Sequence, residues 1–110
     1  MHELSEPALV VFERALDADE RVELFAPAVG SVLVLTDRRL IVVRQGADYR
    51  PRTGIRSFVL DRALEVRIAP TIKQVTVGSA GRSIAVFIRR EQLSKVEALV
   101  AELRRRIYAT

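Results

Sequence analysis

The chain has 110 residues, of which 49% are hydrophobic, and this length and composition suit one domain, 1–110, with a single core. It contains no cysteine, which excludes disulfides, thiolate nucleophiles and sulfur-ligated metals. The segment 1–6 is polar and acidic, and no apolar run approaches the roughly 18 residues of a membrane span. We therefore expect a cytoplasmic location.

The net charge of +4 and the isoelectric point near 10.3 hide an uneven distribution. Residues 1–23 hold seven acidic and two basic side chains, a balance of −5. Residues 38–67 hold eight arginines and three acidic side chains, a balance of +5. Because opposite charges attract, the two segments can pair with each other, with another copy of the chain or with a third molecule.

The chain begins with a predicted short helix over about 6–16. Ser5 suits the N-cap position, and Pro7 suits the first helical turn, where its missing N–H is not needed. An acidic turn follows over 17–20, and the segment 22–26 is typical of a first strand that ends at Pro27.

A β-hairpin is the clearest feature of the sequence. The segments 31–35 and 40–43 are rich in β-branched residues and flank Thr36-Asp37-Arg38-Arg39, where the Thr and Asp side chains can hydrogen-bond the backbone of a tight turn.

The remaining pattern predicts further short strands and a final helix. A polar loop covers 45–54, and Gly78-Ser79-Ala80-Gly81 predicts a hairpin turn rather than a phosphate cradle, because no helix follows it. Apolar residues three or four apart predict an amphipathic C-terminal helix over about 91–107. The predicted strands after the loop are 56–59, 64–69, 72–77 and 83–88, which gives about seven strands within a barrel over about 21–88.

The stretch 30–42, GSVLVLTDRRLIV, resembles the hairpin between the second and third strands of bacterial pleckstrin-homology-like (PH-like) domains. The similarity extends over roughly 17–108, and GRAM-type domains share the architecture. It implies an α+β fold: a bent antiparallel sheet or partly open barrel of about seven strands, capped by the C-terminal helix. It also implies a non-enzymatic interaction module without a cofactor. Because some bacterial relatives form rings, it further implies self-association or binding to another protein.

Both faces of the hairpin are apolar, although one face of an antiparallel sheet usually meets water. Something must cover the second face. The candidates are the N-terminal helix, through residues such as Leu9 and Phe12, and a neighbouring subunit in a homo-oligomer.

Surface arginines are the candidate contacts for an anionic surface or a second subunit. The alternative function is a peripheral membrane module that binds anionic lipid headgroups. Long arginine side chains near Tyr49 can converge on a phosphate or a carboxylate. The resemblance also implies where a phosphoinositide would bind, because eukaryotic relatives often use basic residues in a long loop between the first two strands. Here the equivalent connection, 26–30, is short and has no basic residue, which argues against phosphoinositide recognition. The candidates are Arg38, Arg39, Arg50, Arg52 and Arg56.

No residue pattern indicates catalysis, a metal site or a small-molecule substrate. His2 is the only histidine and lies near the terminus, away from any Ser/His/Asp constellation. The arginines of 104–106 suit the last turn of a helix, where they complement its dipole. Few aromatic residues are present to stack on bases, which argues against nucleic acid.

Overall fold

A computed structural model of the chain describes residues 6–44 and 54–109. The sequence of elements matches the prediction: a short helix, seven strands and a C-terminal helix. They are α1 (Glu6–Ala15), β1 (Val22–Ala28), β2 (Ser31–Thr36), β3 (Arg39–Arg44), β4 (Gly54–Val59), β5 (Glu65–Ala69), β6 (Gln74–Ser79), β7 (Arg82–Phe87), a 3₁₀ turn (Arg90–Gln92) and α2 (Leu93–Ile107).

The strands form two antiparallel sheets, ordered β1-β2-β3-β4 and β5-β6-β7. The predicted hairpin is confirmed, with Val32 opposite Val43 and Leu35 opposite Leu40. One strand end was predicted wrongly, since β1 continues through Pro27, which lies opposite Val32. A proline is tolerated there because β1 is at the edge of its sheet, where a missing N–H breaks no ladder.

Two further boundaries differ from the sequence prediction. The strand expected over 72–77 covers Gln74–Ser79 instead, because the preceding residues form the β5–β6 turn.

In the β6–β7 turn Ala80 and Gly81 have φ of 51° and 80°, the left-handed conformation of a two-residue hairpin turn. The expected turn is therefore confirmed, and it is confined to two residues.

The main core lies between the two sheets and α2. Alternate residues of the hairpin, including Leu33, Leu35 and Leu40, enter this core. From the helix, residues three or four apart enter it as well, as the sequence predicted. They are Val96, Leu99, Val100, Leu103 and Ile107.

A second, smaller core lies on the other face of the hairpin. Phe12 of α1 is 3% exposed and packs in a cluster with the outward-facing valines and isoleucine of β2 and β3. Leu9 and Leu16 pack against the same cluster. The N-terminal helix, and not a neighbouring subunit, therefore covers the second face. The outer hairpin residues that it covers are Val32, Val34, Ile41 and Val43, which are at most 1% exposed.

The C-terminal helix is held by side chains as well as by its apolar stripe. Arg104 donates to the Val66 carbonyl oxygen at 2.6 Å, and Arg106 donates to the Thr36 carbonyl oxygen at 3.0 Å. Arg106 also pairs with Glu23 at 2.9 Å. These two arginines, which the sequence placed in the last turn of the helix to complement its dipole, also attach the end of α2 to both sheets. None of the helices in the described ranges is long and apolar enough to cross a membrane.

Candidate functional site

The turn between β2 and β3 carries two of the five predicted arginines. Thr36 Oγ1 accepts hydrogen bonds from the backbone N–H groups of Arg38 and Arg39, at 3.1 and 3.0 Å. Asp37 Oδ1 accepts from the Arg21 N–H at 2.9 Å, and the Asp37 N–H donates to the Arg21 carbonyl oxygen at 3.0 Å. The Thr36 side chain thus bonds the backbone of the turn, as the sequence predicted, whereas the Asp37 side chain binds the turn to the chain entering β1.

Arg39 forms a bidentate ion pair with Glu20, whose side chain has no exposed surface. Arg39 Nε lies 2.8 Å from Glu20 Oε2, and its terminal nitrogen lies 2.7 Å from Oε1. Thr36 Oγ1 donates to Oε2 at 2.6 Å, and the Asp17 N–H donates to Oε1 at 3.1 Å. The bonds from Arg39, aided by that from Thr36, lower the pKa of Glu20 from 4.5 to about 2 against the opposing effect of burial.

The remaining donors of Arg39 bind two other elements. One terminal nitrogen donates to the Ala15 carbonyl oxygen at the end of α1, and the other donates to Ser57 Oγ of β4 at 3.1 Å. A single guanidinium therefore joins α1, the acidic turn, the hairpin and β4. We call Glu20, Thr36 and Arg39 the buried latch, because together they hold α1 against the hairpin.

Of the other predicted arginines, Arg38 and Arg56 lie within the described residues, and neither takes part in the ion pair of Arg39 with Glu20. Arg38 pairs with Asp17 at 3.2 Å and with Asp19, and its hydrogen bond lowers the pKa of Asp19. Arg56 is exposed in the middle of β4, opposite Val42. Arg50 and Arg52 lie outside the described residues. Of the three described candidates, Arg38 and Arg39 are thus engaged by the acidic turn within the chain.

A different surface emerges where the two sheets meet. The Val29 N–H in the β1–β2 turn donates to the Phe87 carbonyl oxygen at 2.8 Å, and the Ile88 N–H donates to the Lys73 carbonyl oxygen at 2.8 Å. These bonds bring the β1–β2 turn, the β5–β6 turn and the end of β7 together. We call the exposed residues here the rim: Val29, Ile72, Lys73, Phe87, Arg89 and Arg90.

The rim combines exposed apolar and basic side chains. Phe87 is 57% exposed, Ile72 60% and Val29 46%. The three basic side chains, Lys73, Arg89 and Arg90, make no ion pair with any residue in 6–44 or 54–109. Arg38 and Arg39 are paired, whereas exposed arginines such as Arg14 and Arg82 also form no ion pair within the described residues. The rim is distinguished because its available positive charge lies beside exposed apolar side chains.

Sequence reasoning did not identify the rim, although one local signal was present. In β7 the buried residues Ile84 and Val86 alternate with exposed positions, and the outward position at the end of the strand is Phe87. A polar residue is the ordinary choice there, because that face of the strand meets water. The proximity of the β1–β2 turn could not be seen without the fold.

The described residues offer no metal centre: no three of their His, Asp and Glu side chains are grouped to hold an ion. Open grooves lie between α2 and β5, around Val66 and Leu103, and between α2 and β1, around Leu24 and Lys95.

Comparison with known proteins identifies the fold. No protein-family model matches the sequence, and no curated protein matches it. A crystal structure of a pleckstrin homology domain from Shewanella amazonensis SB2B matches with a TM-score of 0.63 and 16% identity, covering 89% of this chain and 96% of that one. A DUF1696 family protein with a pleckstrin-homology domain, from Shewanella loihica PV-4, matches with a TM-score of 0.57 and 14% identity, covering 91% and 93%. The chain therefore has the fold of a bacterial PH-like domain, as the resemblance of its hairpin predicted.

Proposed function

We propose that the protein is a non-enzymatic PH-like interaction module that attaches peripherally to anionic membrane surfaces through the rim. The observation that carries the proposal is that three basic side chains, Lys73, Arg89 and Arg90, form no ion pair within 6–44 and 54–109 and lie beside exposed apolar residues. Basic charge and apolar side chains on one surface are the two features that favour binding at a lipid headgroup layer.

The proposal replaces the arginines expected from the sequence with those of the rim. Arg38 and Arg39 are engaged by Asp17, Asp19 and Glu20, so their use by a lipid would require ion pairs to break first. The rim residues carry no such cost. At roughly 1 kcal/mol for each basic residue near an anionic surface, three residues contribute about 3 kcal/mol, or about 100-fold in affinity.

Self-association, the other function expected from the sequence, loses its main support. It rested on an uncovered second face of the hairpin, and α1 buries that face within one chain. The charge asymmetry is also partly used internally, because the acidic turn pairs with Arg38 and Arg39.

Cosedimentation with vesicles tests the proposal. We expect binding to vesicles of phosphatidylcholine with 30% phosphatidylglycerol (about one anionic lipid in three, where each basic residue counts for about 1 kcal/mol) but not to pure phosphatidylcholine. Changing the three basic rim residues to glutamine should weaken binding by about 100-fold. The variant is Lys73→Gln/Arg89→Gln/Arg90→Gln.

A matched control removes the same charge elsewhere. Arg14, Arg82 and Arg105 are exposed and lie outside the rim. Their change to glutamine lowers the net charge equally, so it reduces only the long-range attraction between protein and vesicle, and we expect the affinity to fall by less than about threefold. Equal losses in the two triple variants, or no binding of the unmodified protein to anionic vesicles, would refute the proposal.

A further inference from the structure

We infer that the rim recognises the lipid bilayer itself rather than an individual headgroup, with Phe87 and Ile72 entering the interfacial region of the membrane. This inference rests on the proposed function, and it adds the mode of attachment and the kind of ligand. A site for one headgroup and a site for a bilayer differ in two respects, the shape of the surface and the use of apolar side chains.

The placement of the basic side chains of the rim suits an extended ligand. Recognition of a single headgroup needs polar groups that converge in a concave pocket. Lys73 instead lies in the β5–β6 turn, while Arg89 and Arg90 follow β7 on a separate segment. The grooves next to α2, around Leu103 and around Leu24, are formed by other residues. The basic side chains of the rim thus come from two neighbouring segments and lie beside exposed apolar residues, an arrangement that a charged layer can meet at several points.

The apolar side chains provide the second argument. Phe87 and Ile72 are both more than half exposed, and backbone hydrogen bonds hold their segments to the ends of both sheets. Exposure of the phenylalanine ring to water is unfavourable, because apolar surface is more stable in an apolar environment. Between cations that bind the headgroups, it lies where it can transfer into the apolar boundary below them. Full transfer of such a side chain contributes roughly 10-fold or more to binding.

A comparison with the opposite side of the domain supports this assignment. Tyr108 is 60% exposed, but Arg62 lies over its ring at 5.9 Å, and two arginines at the same end of α2 are engaged by the protein, Arg106 by Glu23 and Thr36 and Arg104 by Val66. An apolar side chain alone is thus not unusual on this surface. The rim differs because its cations are available.

Two single-tryptophan variants test the inference, because the sequence contains no tryptophan. We expect the fluorescence of Phe87→Trp to shift to shorter wavelength on phosphatidylglycerol-containing vesicles and to be quenched by phosphatidylcholine brominated on its acyl chains. Tyr108→Trp provides the control and should show neither change, although it binds the same vesicles. Circular dichroism verifies that both variants are folded.

A second arm distinguishes a bilayer from a headgroup. Glycerol 3-phosphate and inorganic phosphate at millimolar concentration should not displace the protein from vesicles at constant ionic strength, and Phe87→Ser should weaken binding roughly 10-fold. Displacement by either small anion would overturn the inference. So would vesicle binding that leaves the fluorescence of Phe87→Trp unchanged, an outcome that leaves the proposed function intact. A protein that does not sediment with anionic vesicles would refute both.

Discussion

The buried latch allows a quantitative prediction for the substitution Glu20→Gln. Glutamine has the size of glutamic acid and resembles its protonated form, so it should fit without disturbing the packing. It replaces one carboxylate oxygen by an NH₂ group, which cannot accept the bonds that Arg39 or Thr36 donates to that position. It also leaves the partly buried Arg39 guanidinium without its counter-charge.

The pKa of Glu20 and the hydrogen bonds that lower it give the same magnitude for this substitution. The pKa of Glu20 falls from 4.5 to about 2, and at about 1.4 kcal/mol for each pH unit this difference corresponds to roughly 3 kcal/mol of stability at neutral pH. Removing hydrogen bonds to a charged group costs about 1.5–3 kcal/mol each, and the substitution removes one or two of them. We therefore expect Glu20→Gln to lower the free energy of unfolding by about 3 kcal/mol at pH 7.

The pH dependence provides the sharper test. Because the pKa of Glu20 is lower in the folded state, its contribution is complete above pH 4.5 and is lost as the pH falls toward 2. The free energy of unfolding of the unmodified protein and of Glu20→Gln should be measured between pH 7 and pH 2.5 by urea denaturation followed by circular dichroism. We expect the two values to differ at neutral pH and to approach each other in acid.

The control is Glu65→Gln, which makes the same chemical change in an exposed ion pair. Glu65 lies 3.5 Å from Arg67, and both side chains are more than two-thirds exposed, so we expect a loss below about 0.5 kcal/mol. If Glu20→Gln costs no more than Glu65→Gln, or if its curve stays parallel to that of the unmodified protein down to pH 2.5, the assignment of the buried latch is wrong.

Two further changes test the packing of α1 and the geometry of the β6–β7 turn. Phe12→Ala should lower the free energy of unfolding by about 3 kcal/mol, because the ring is buried between α1 and the hairpin. A loss below about 1 kcal/mol in urea denaturation, which is the cost of an average substitution, would show that α1 contributes little to covering the hairpin. Ala80→Asn should instead stabilise the protein by about 0.5 kcal/mol, since asparagine tolerates the positive φ of 51° and precedes Gly81 in the preferred turn; a lower melting temperature in calorimetry would contradict this.

Local sequence was sufficient for the elements whose partners lie nearby in the chain. The hairpin of 31–36 and 39–44 combines two β-branched strands with a turn in which Thr36 Oγ1 accepts from the N–H groups of Arg38 and Arg39. The helix α2 follows equally from the spacing of its apolar residues. The end of β1 was missed because proline usually terminates a strand, and only the position of β1 at the edge of its sheet makes Pro27 acceptable.

Local sequence was insufficient where a side chain meets a distant partner. The charge asymmetry indicated that the acidic segment can pair with the arginine-rich segment, but it left open whether the pairing arginines belong to the same molecule. Glu20 and Arg39 are 19 positions apart, and only the approach of α1 to the hairpin decides that they pair within one chain. For the rim, Val29 lies in the β1–β2 turn and Phe87 at the end of β7, far apart in sequence, so their proximity is a property of the fold.

The same geometry explains why the segment most similar to other PH-like domains is a poor guide to a ligand. Within it, Thr36 and Arg39 form the buried latch, and Asp37 binds the chain entering β1. Their side chains are therefore required by the architecture, whatever the protein binds. A surface that binds an anionic partner needs charges that the protein itself does not pair, and Lys73 and Arg89 on the rim form no ion pair within 6–44 and 54–109. For this chain, the ion pairs and hydrogen bonds of Arg39 and Arg106 identify them as residues that hold the fold, a distinction that the count of arginines cannot make.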